Sequence, residues 1–228
     1  HDEKFYIAYT TEENNCRKIN VSVAKFNQDS LIFNKLFFPN ECNETGAIGR
    51  MQFYNHQGKP GILITTAEGT HDKPGKNAQN DKSVFGKTLF LDLNNQNYFI
   101  FSKGHRVIQG LYTEGNLILS SEHGPRGGDE INKIILNGNY GWPISSYGER
   151  YDFTYQKNPY YKKKHESLNF EEPIFAFVQS IGISEILKLP NKFSNFFHND
   201  LMITSLNDRS IYIANFDADF NRIITIEK

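Results

Sequence analysis

Short strand-like runs separated by turn signals recur along this chain, and they constrain its fold more than any other feature. The runs are rich in apolar and β-branched residues, and Gly and Asn lie at the joints between them. No segment shows the sustained period of 3.6 residues that marks an amphipathic helix. These patterns predict an all-β chain. The predicted strands are 5–10, 18–26, 31–38, 61–66, 88–93, 97–101, 117–121, 130–135, 200–205 and 210–215.

Length, charge and hydropathy narrow the classes of function. The 228 residues are expected to form one domain, 1–228, and Lys+Arg 25 against Asp+Glu 26 leaves no basic field for nucleic acid or an anionic membrane. No apolar run is long enough to span a bilayer. The chain opens on His1 without a signal peptide, so we expect it to be cut from something longer.

The two cysteines lie near the open end of a predicted hairpin. The runs 18–26 and 31–38 flank a polar turn, so paired positions sum to 57 or 58, and Cys16 and Cys42 sum to 58. A disulfide and a pair of free thiols both fit this placement. A disulfide implies an oxidising compartment, the periplasm or the outside of the cell.

The segment from Gly104 to Pro143 carries the most chemical information. Its middle part, 122–132, is a Gly-rich turn that also holds acidic residues. Glycines let backbone carbonyls turn toward a ligand, and calcium prefers carbonyl and carboxylate oxygens. A calcium site and a tight turn of purely structural role both remain open on spacing alone.

Three motifs in this segment resemble the quinoprotein glucose/sorbosone dehydrogenase family. They are GHRVIQGL at 104–111, EHGPRGGDEIN at 122–132 and NYGWP at 139–143. The resemblance implies a six-bladed β-propeller that uses pyrroloquinoline quinone (PQQ) and calcium to oxidise an aldose or a related alcohol. Six blades need more residues than this chain has, so it is expected to form an incomplete ring of four to five blades, truncated at both ends. The similar segments 88–94 and 210–216 lie 122 residues apart, about three blades of ~40 residues.

The resemblance also implies roles for individual residues. Gly124 and Pro125 match the carbonyl pair that holds the cofactor's calcium, and Gln109 matches a residue lining the cofactor pocket. Arg106 matches the arginine that stabilises charge on the reduced cofactor. Two further positions match ligands of a second calcium: Glu130 and Tyr140. Glu68 matches an aspartate that orients the catalytic histidine.

Several positions depart from the family pattern. The histidine that acts as general base is expected at position 46, which is Gly46, and the lysine that contacts the quinone is replaced by Asn207. Val107 replaces an asparagine. Two hypotheses therefore stand, a quinoprotein sugar oxidoreductase lacking its base and a non-catalytic propeller that binds a carbohydrate or a protein. Under the first, restoring histidine at Gly46 is expected to raise activity, and His71 is a less favoured substitute base.

Overall fold

The computed structural model describes residues 3–27, 30–69, 77–149, 165–190 and 200–228. His71 and most of the Tyr- and Lys-rich insertion predicted at 151–172, including its lysine run, lie outside these residues. In the described part the chain forms fifteen strands and a single turn of 3-10 helix at Glu166–Leu168. None of its described helices has the length and apolar character needed to cross a membrane. The all-β prediction is confirmed.

The strands form four antiparallel sheets that follow one another along the chain. The first sheet contains β1 (Lys4–Glu13), β2 (Cys16–Asn27) and β3 (Ser30–Phe37). The second contains β4 (Ile48–His56), β5 (Lys59–Thr66), β6 (Lys87–Asp92) and β7 (Tyr98–Lys103). The third contains β8 (Ile108–Glu114), β9 (Leu117–Glu122), β10 (Asp129–Lys133) and β11 (Phe175–Phe177). The fourth contains β12 (Ile183–Lys188), β13 (Asp200–Ser205), β14 (Ser210–Phe216) and β15 (Ile223–Glu227).

The first strands of the last three sheets lie side by side around a common axis. The Gln52 side chain of β4 donates to the carbonyl of Leu111 in β8 at 3.0 Å. Gly110 of β8 lies so close to the backbone of Ser184 and Ile186 at β12 that a Cβ there would overlap both. Each sheet packs its face on the next through a separate buried apolar cluster. This radial stacking is a β-propeller, and four sheets agree with the predicted incomplete ring of four to five blades.

The first sheet carries the predicted hairpin and a disulfide. The observed register pairs Phe26 with Leu31 and Ala24 with Phe33, as the sum of 57 predicts. Cys16 and Cys42 are bonded, with Cα atoms 5.4 Å apart, so of the two alternatives the disulfide is present.

Candidate functional site

Residues of the three motifs meet at one small cavity formed by strands of the third sheet and the loops that connect to them. The cavity measures about 10 Å³, roughly the space that one water molecule needs. It is therefore large enough for a single ion or water, and a larger cofactor has to lie outside it. The lining residues are Arg106, Glu122, His123, Gly124, Glu130, Tyr140, Trp142, Ser145 and Ser146.

Arg106 is held from several sides where the chain enters β8. Its backbone N–H donates to the carboxylate of Glu122, and its Nη1 donates to the carbonyl of His123 at 3.1 Å. Its guanidinium lies over the Trp142 ring, 5.5 Å from the centroid. Its own carbonyl accepts from the backbone N–H of Glu68 at 2.9 Å. These contacts give the cation a defined position beside the cavity, because a stacked and hydrogen-bonded arginine loses much of its rotational freedom.

Glu122 organises this part of the site, although the sequence assigns it no role. Its Oε2 lies 2.9 Å from Nδ1 of His105, whose Nε2 lies 2.8 Å from the hydroxyl of Ser102. The arrangement has the composition of a serine–histidine–acid triad. Ser102 is only 1% exposed, so no substrate reaches its hydroxyl. This chain of hydrogen bonds therefore fixes the position of Glu122, whose carboxylate in turn accepts from the backbone N–H of Arg106.

The turn at Gly124 accepts no other residue. A Cβ at this position would overlap the carbonyl oxygens of Gly127 and Gly128. Both of these glycines have positive φ, +77° and +67°, which L-residues rarely adopt. The Gly124 N–H donates to Asp129 at 3.0 Å. The motif's glycines are thus required by the backbone path of the turn that carries the predicted calcium-binding carbonyls.

Glu130 is a buried carboxylate beside a second carboxylate. It pairs with Glu122 across the β9–β10 ladder, which brings their side chains to the same face. Its Oε2 accepts a hydrogen bond from the Asn132 amide at 3.3 Å. Burial, followed by the charge of Glu122, raises the pKa of Glu130 well above its ordinary value. Two buried acids at one site offer oxygen ligands of the type that calcium prefers, while the described residues contain no group of three or more His, Cys, Asp and Glu that could hold a metal ion by themselves.

Tyr140 can offer a cation only its main-chain carbonyl. Its hydroxyl donates to the carbonyl of Lys133 and accepts from the N–H of Ile135 at 3.0 Å. Burial raises the pKa of Tyr140 above its ordinary value. The phenol is therefore neutral and already engaged.

Gln109 lies on the axial strand β8, at an irregularity in its pairing with β9. Its carbonyl accepts from Nε of Arg50, which also lies 3.2 Å from the carboxylate of Glu185 in the fourth sheet. A side chain that reaches from the second sheet to the fourth across β8 lies on the axial side of these strands. Gln109 therefore belongs to the axial surface where the predicted pocket lies.

Glu68 is buried and anchors a neighbouring backbone segment. Its carboxylate accepts from the N–H groups of Asn77, at 3.3 Å, and Ala78. The same segment is held from the other side by Lys87, whose ammonium donates to the carbonyls of Asn77, Ala78 and Phe85. Burial lowers the pKa of Lys87 to about 8, and the charge of Glu68 partly opposes that shift. In this structure Glu68 positions the segment at 77–78.

Position 46, where the family resemblance places the histidine base, is enclosed by the first sheet. Gly46 has φ +52°, and a Cβ there would overlap the Arg17 side chain and lie 2.9 Å from both the Arg17 backbone and Thr10. Its N–H donates to the side chain of Asn43, whose Nδ2 donates to the carbonyl of Glu68 at 3.4 Å. The backbone at this position is therefore shaped for glycine.

Comparisons of the sequence and of the structure with known proteins identify relatives of this chain. The family model described as Glucose / Sorbosone dehydrogenase matches residues 1–227. The quinoprotein glucose dehydrogenase B of Acinetobacter calcoaceticus is 34% identical over 107 residues, which cover 41% of this chain and 22% of that protein. The match thus spans about a fifth of this relative's length.

Two solved structures share the fold. The apo form of the soluble aldose sugar dehydrogenase from Escherichia coli has a TM-score of 0.80 at 24% identity. The matched region covers 99% of this chain and 68% of the Escherichia coli chain. The PQQ-bound aldose sugar dehydrogenase from Streptomyces coelicolor has a TM-score of 0.70 at 17% identity, with coverage of 99% and 62%. At these identities the structures bear on the fold, whereas the family model spans nearly the whole sequence. The chain belongs to the glucose / sorbosone dehydrogenase family.

Proposed function

We propose that this chain is part of a quinoprotein oxidoreductase that depends on PQQ and calcium, acts on an aldose sugar or a related alcohol, and lacks the histidine general base of its relatives. The observation that carries the proposal is an ion-sized cavity lined by Arg106, Gly124 and the two carboxylates of Glu122 and Glu130. Glu130 is a buried carboxylate that accepts one hydrogen bond, from Asn132, beside a second carboxylate, and such a group favours a bound cation. The family and its quinoprotein member support the cofactor.

Each residue then has a defined task. The carbonyls of Gly124 and Pro125 hold the cofactor's calcium, and Glu130 with the Tyr140 carbonyl contributes to a second calcium. Arg106, fixed over Trp142, places positive charge beside the cofactor, and Gln109 lines the axial wall. When bound, PQQ would supply the acceptor for a hydride from the sugar carbon, and calcium would supply a Lewis acid.

The proton of the sugar hydroxyl has no imidazole acceptor at position 46. Loss of a positioned general base typically costs about 10²- to 10⁴-fold in rate. Glu68 has a carboxylate, but that carboxylate already accepts hydrogen bonds from the N–H groups of residues 77 and 78 and does not replace the base. The proposal therefore combines a retained cofactor site with slow turnover.

A second candidate function is a non-catalytic propeller that binds a carbohydrate or a protein partner. The enclosure of Gly46 by Arg17 and Thr10 favours it, because this region has no space for the missing base. The Cys16–Cys42 disulfide supports a periplasmic or secreted location for either candidate.

Reconstitution of the full-length protein separates the candidates. The protein is titrated with PQQ in excess calcium, the cofactor spectrum is recorded, and dye reduction is measured with a panel of aldoses. We expect quinone binding with weak dye reduction. Binding without any reduction would indicate a disabled site, and the absence of both would favour a binding module and overturn the proposal.

A matched pair of variants ties the result to the site. Arg106→Met removes the charge over Trp142 and is expected to weaken quinone binding at least tenfold. Arg126→Met removes the same charge from an exposed position on the Gly124 turn and is expected to change binding less than twofold. Equal effects of the two variants would show that Arg106 acts only through net charge.

A further inference from the structure

The carboxylate of Asp129 holds the Gly124 turn and the fourth sheet at the same time. It is fully buried at the start of β10. One oxygen accepts from the N–H of Gly124 at 3.0 Å, and the other accepts from the N–H of Ile183 at 3.1 Å. The hydroxyl of Ser180 donates to both oxygens at 3.1 and 3.2 Å. We propose that Asp129 is the positioning residue that sets the direction of the Gly124 and Pro125 carbonyls and hence the calcium affinity of the turn. This inference rests on the calcium site of the proposed function.

Because the turn contains a proline, its geometry depends on the hydrogen bonds that Asp129 accepts, which we call the Asp129 brace. Pro125 has no N–H, so the peptide unit between Gly124 and Pro125 cannot be fixed by a donor of its own. The preceding peptide unit, by contrast, is held at both ends. Its N–H at Gly124 donates to Asp129, and its carbonyl at His123 accepts from Arg106. Because peptide units are planar, fixing this unit leaves only φ and ψ of Gly124 to set the direction of the one that follows.

The brace continues into the fourth sheet through a residue that departs from the family pattern. Asn207 stands where the resemblance predicts a lysine, and its Nδ2 donates to the carbonyl of Ser180 at 3.0 Å. Ser180 in turn contacts Asp129, and Asp129 contacts Gly124. The amide of Asn207 thus supports the turn through two intermediates. The orientation of the calcium-binding carbonyls consequently depends on the packing of the third sheet against the fourth.

Asp129→Asn is the decisive variant. An asparagine amide keeps the shape of the side chain but has only one acceptor oxygen, so it cannot accept from Gly124 and Ile183 together. Calcium affinity is measured by calorimetry on the full-length protein without quinone, and stability by urea unfolding in excess chelator. We expect calcium to bind at least tenfold more weakly.

Asp200→Asn is the matched control. Asp200 is also a buried aspartate at the start of a strand, and its carboxylate accepts from Asn215 in the fourth sheet, away from Gly124. Its substitution is expected to lower stability and to change calcium affinity less than twofold. If both variants weaken calcium binding equally, the effect is a general loss of stability and the positioning role is overturned.

Ser180→Ala keeps the test decisive if Asp129→Asn does not fold. It removes one donor to Asp129, and we expect about a threefold loss of calcium affinity. Wild-type calcium affinity in the folded Asp129→Asn protein, or in Ser180→Ala where only that variant folds, would overturn the inference. Calcium binding without quinone binding in the wild type would refute the proposed oxidoreductase and leave the brace standing, whereas absence of calcium binding would refute both.

Discussion

Two buried charged regions flank the axial surface. They differ in whether each buried charge has a group of opposite charge in the same region. On the side of Glu68, the ammonium of Lys87 and the carboxylate of Glu68 hold the segment at 77–78 between them. On the side of Gly124, the groups that most perturb Glu130 after its burial include other carboxylates, with Glu122 first. The first region is complete as it stands. In the second, the excess of buried carboxylates is the reason why the proposed function places a cation there.

The comparison extends to the two positions that define the chemistry. The turn at Gly124 follows a backbone path that requires its glycines, and under the proposed function this path directs carbonyls toward calcium. The loop at Gly46 is built to close against the first sheet, and its glycine is required for that closure. A glycine is thus needed at both positions for opposite reasons. The missing base is a feature of the backbone and not only of one side chain.

Gly46→His is expected to produce the largest effect and to reverse the prediction made from sequence. The new side chain would meet Arg17 and Thr10 at a residue with φ +52°, so strain and overlap together cost about 3–5 kcal/mol of stability. We expect no gain in dye reduction. Gly58→His is the control, because Gly58 has φ +82° with open space around it and should lose only about 1–2 kcal/mol. A stable Gly46→His protein with tenfold higher activity would refute this account of the region.

Lys87 should give the protein a distinctive dependence of stability on pH. Its folded pKa of about 8 lies below its unfolded value near 10.5, so the unfolded chain binds more protons between these limits. The contribution of Lys87 to the free energy of unfolding therefore rises with pH from 8 to 10.5, by on the order of 3 kcal/mol. Urea unfolding at several pH values measures it, with Lys87→Met as the reference that lacks the rise. Parallel pH profiles for the two proteins would show that folding does not lower the pKa of Lys87.

Much of the fold follows from local sequence patterns. The hairpin register of the first sheet and strands β13 and β14 follow from alternating apolar residues and turn signals. Strands β4 and β12 do not, since polar residues such as Arg50, Gln52 and Glu185 lie in them. These side chains face neighbouring strands of other sheets, and such contacts have no signature in a local window.

The site was predictable only where a motif marks it. Gly124, Glu130 and Arg106 lie in motifs and meet at one cavity, whereas the resemblance assigns Glu130 to a second calcium apart from the cofactor's. Glu122 and Asp129 lie in the same motif, yet their roles depend on partners 17 and 54 positions away, His105 and Ile183. The enclosure of Gly46 depends on residues of the first sheet that no motif marks.

Glu130→Gln should change stability in opposite directions with and without calcium. In chelator and above the raised pKa of Glu130, removing its buried charge beside Glu122 is expected to stabilise the protein by about 1–3 kcal/mol. In excess calcium, the variant loses a ligand and should gain little from the ion. Thermal unfolding in both conditions measures this. Glu122→Gln is the control, because it weakens the contacts to His105 and Arg106 and should destabilise in both conditions. Destabilisation by Glu130→Gln in chelator would show that the acids are balanced from within.

The smallest expected effect tests whether the two regions are independent. Arg50 of the second sheet contacts the Gln109 carbonyl and lies 3.2 Å from Glu185, so it joins the strand that follows Gly46 to the axial strand β8. Both partners of the ion pair are more than a third exposed, and solvent screens such pairs to about 0–1 kcal/mol. A double-mutant cycle with Arg50→Met and Glu185→Gln, read in calcium affinity and in stability, should give a coupling below about 1 kcal/mol in each. A coupling above about 2 kcal/mol in calcium affinity would mean that the region around Gly46 affects the geometry of the Gly124 turn. The enclosure of Gly46 would then have to be read as part of the cation site.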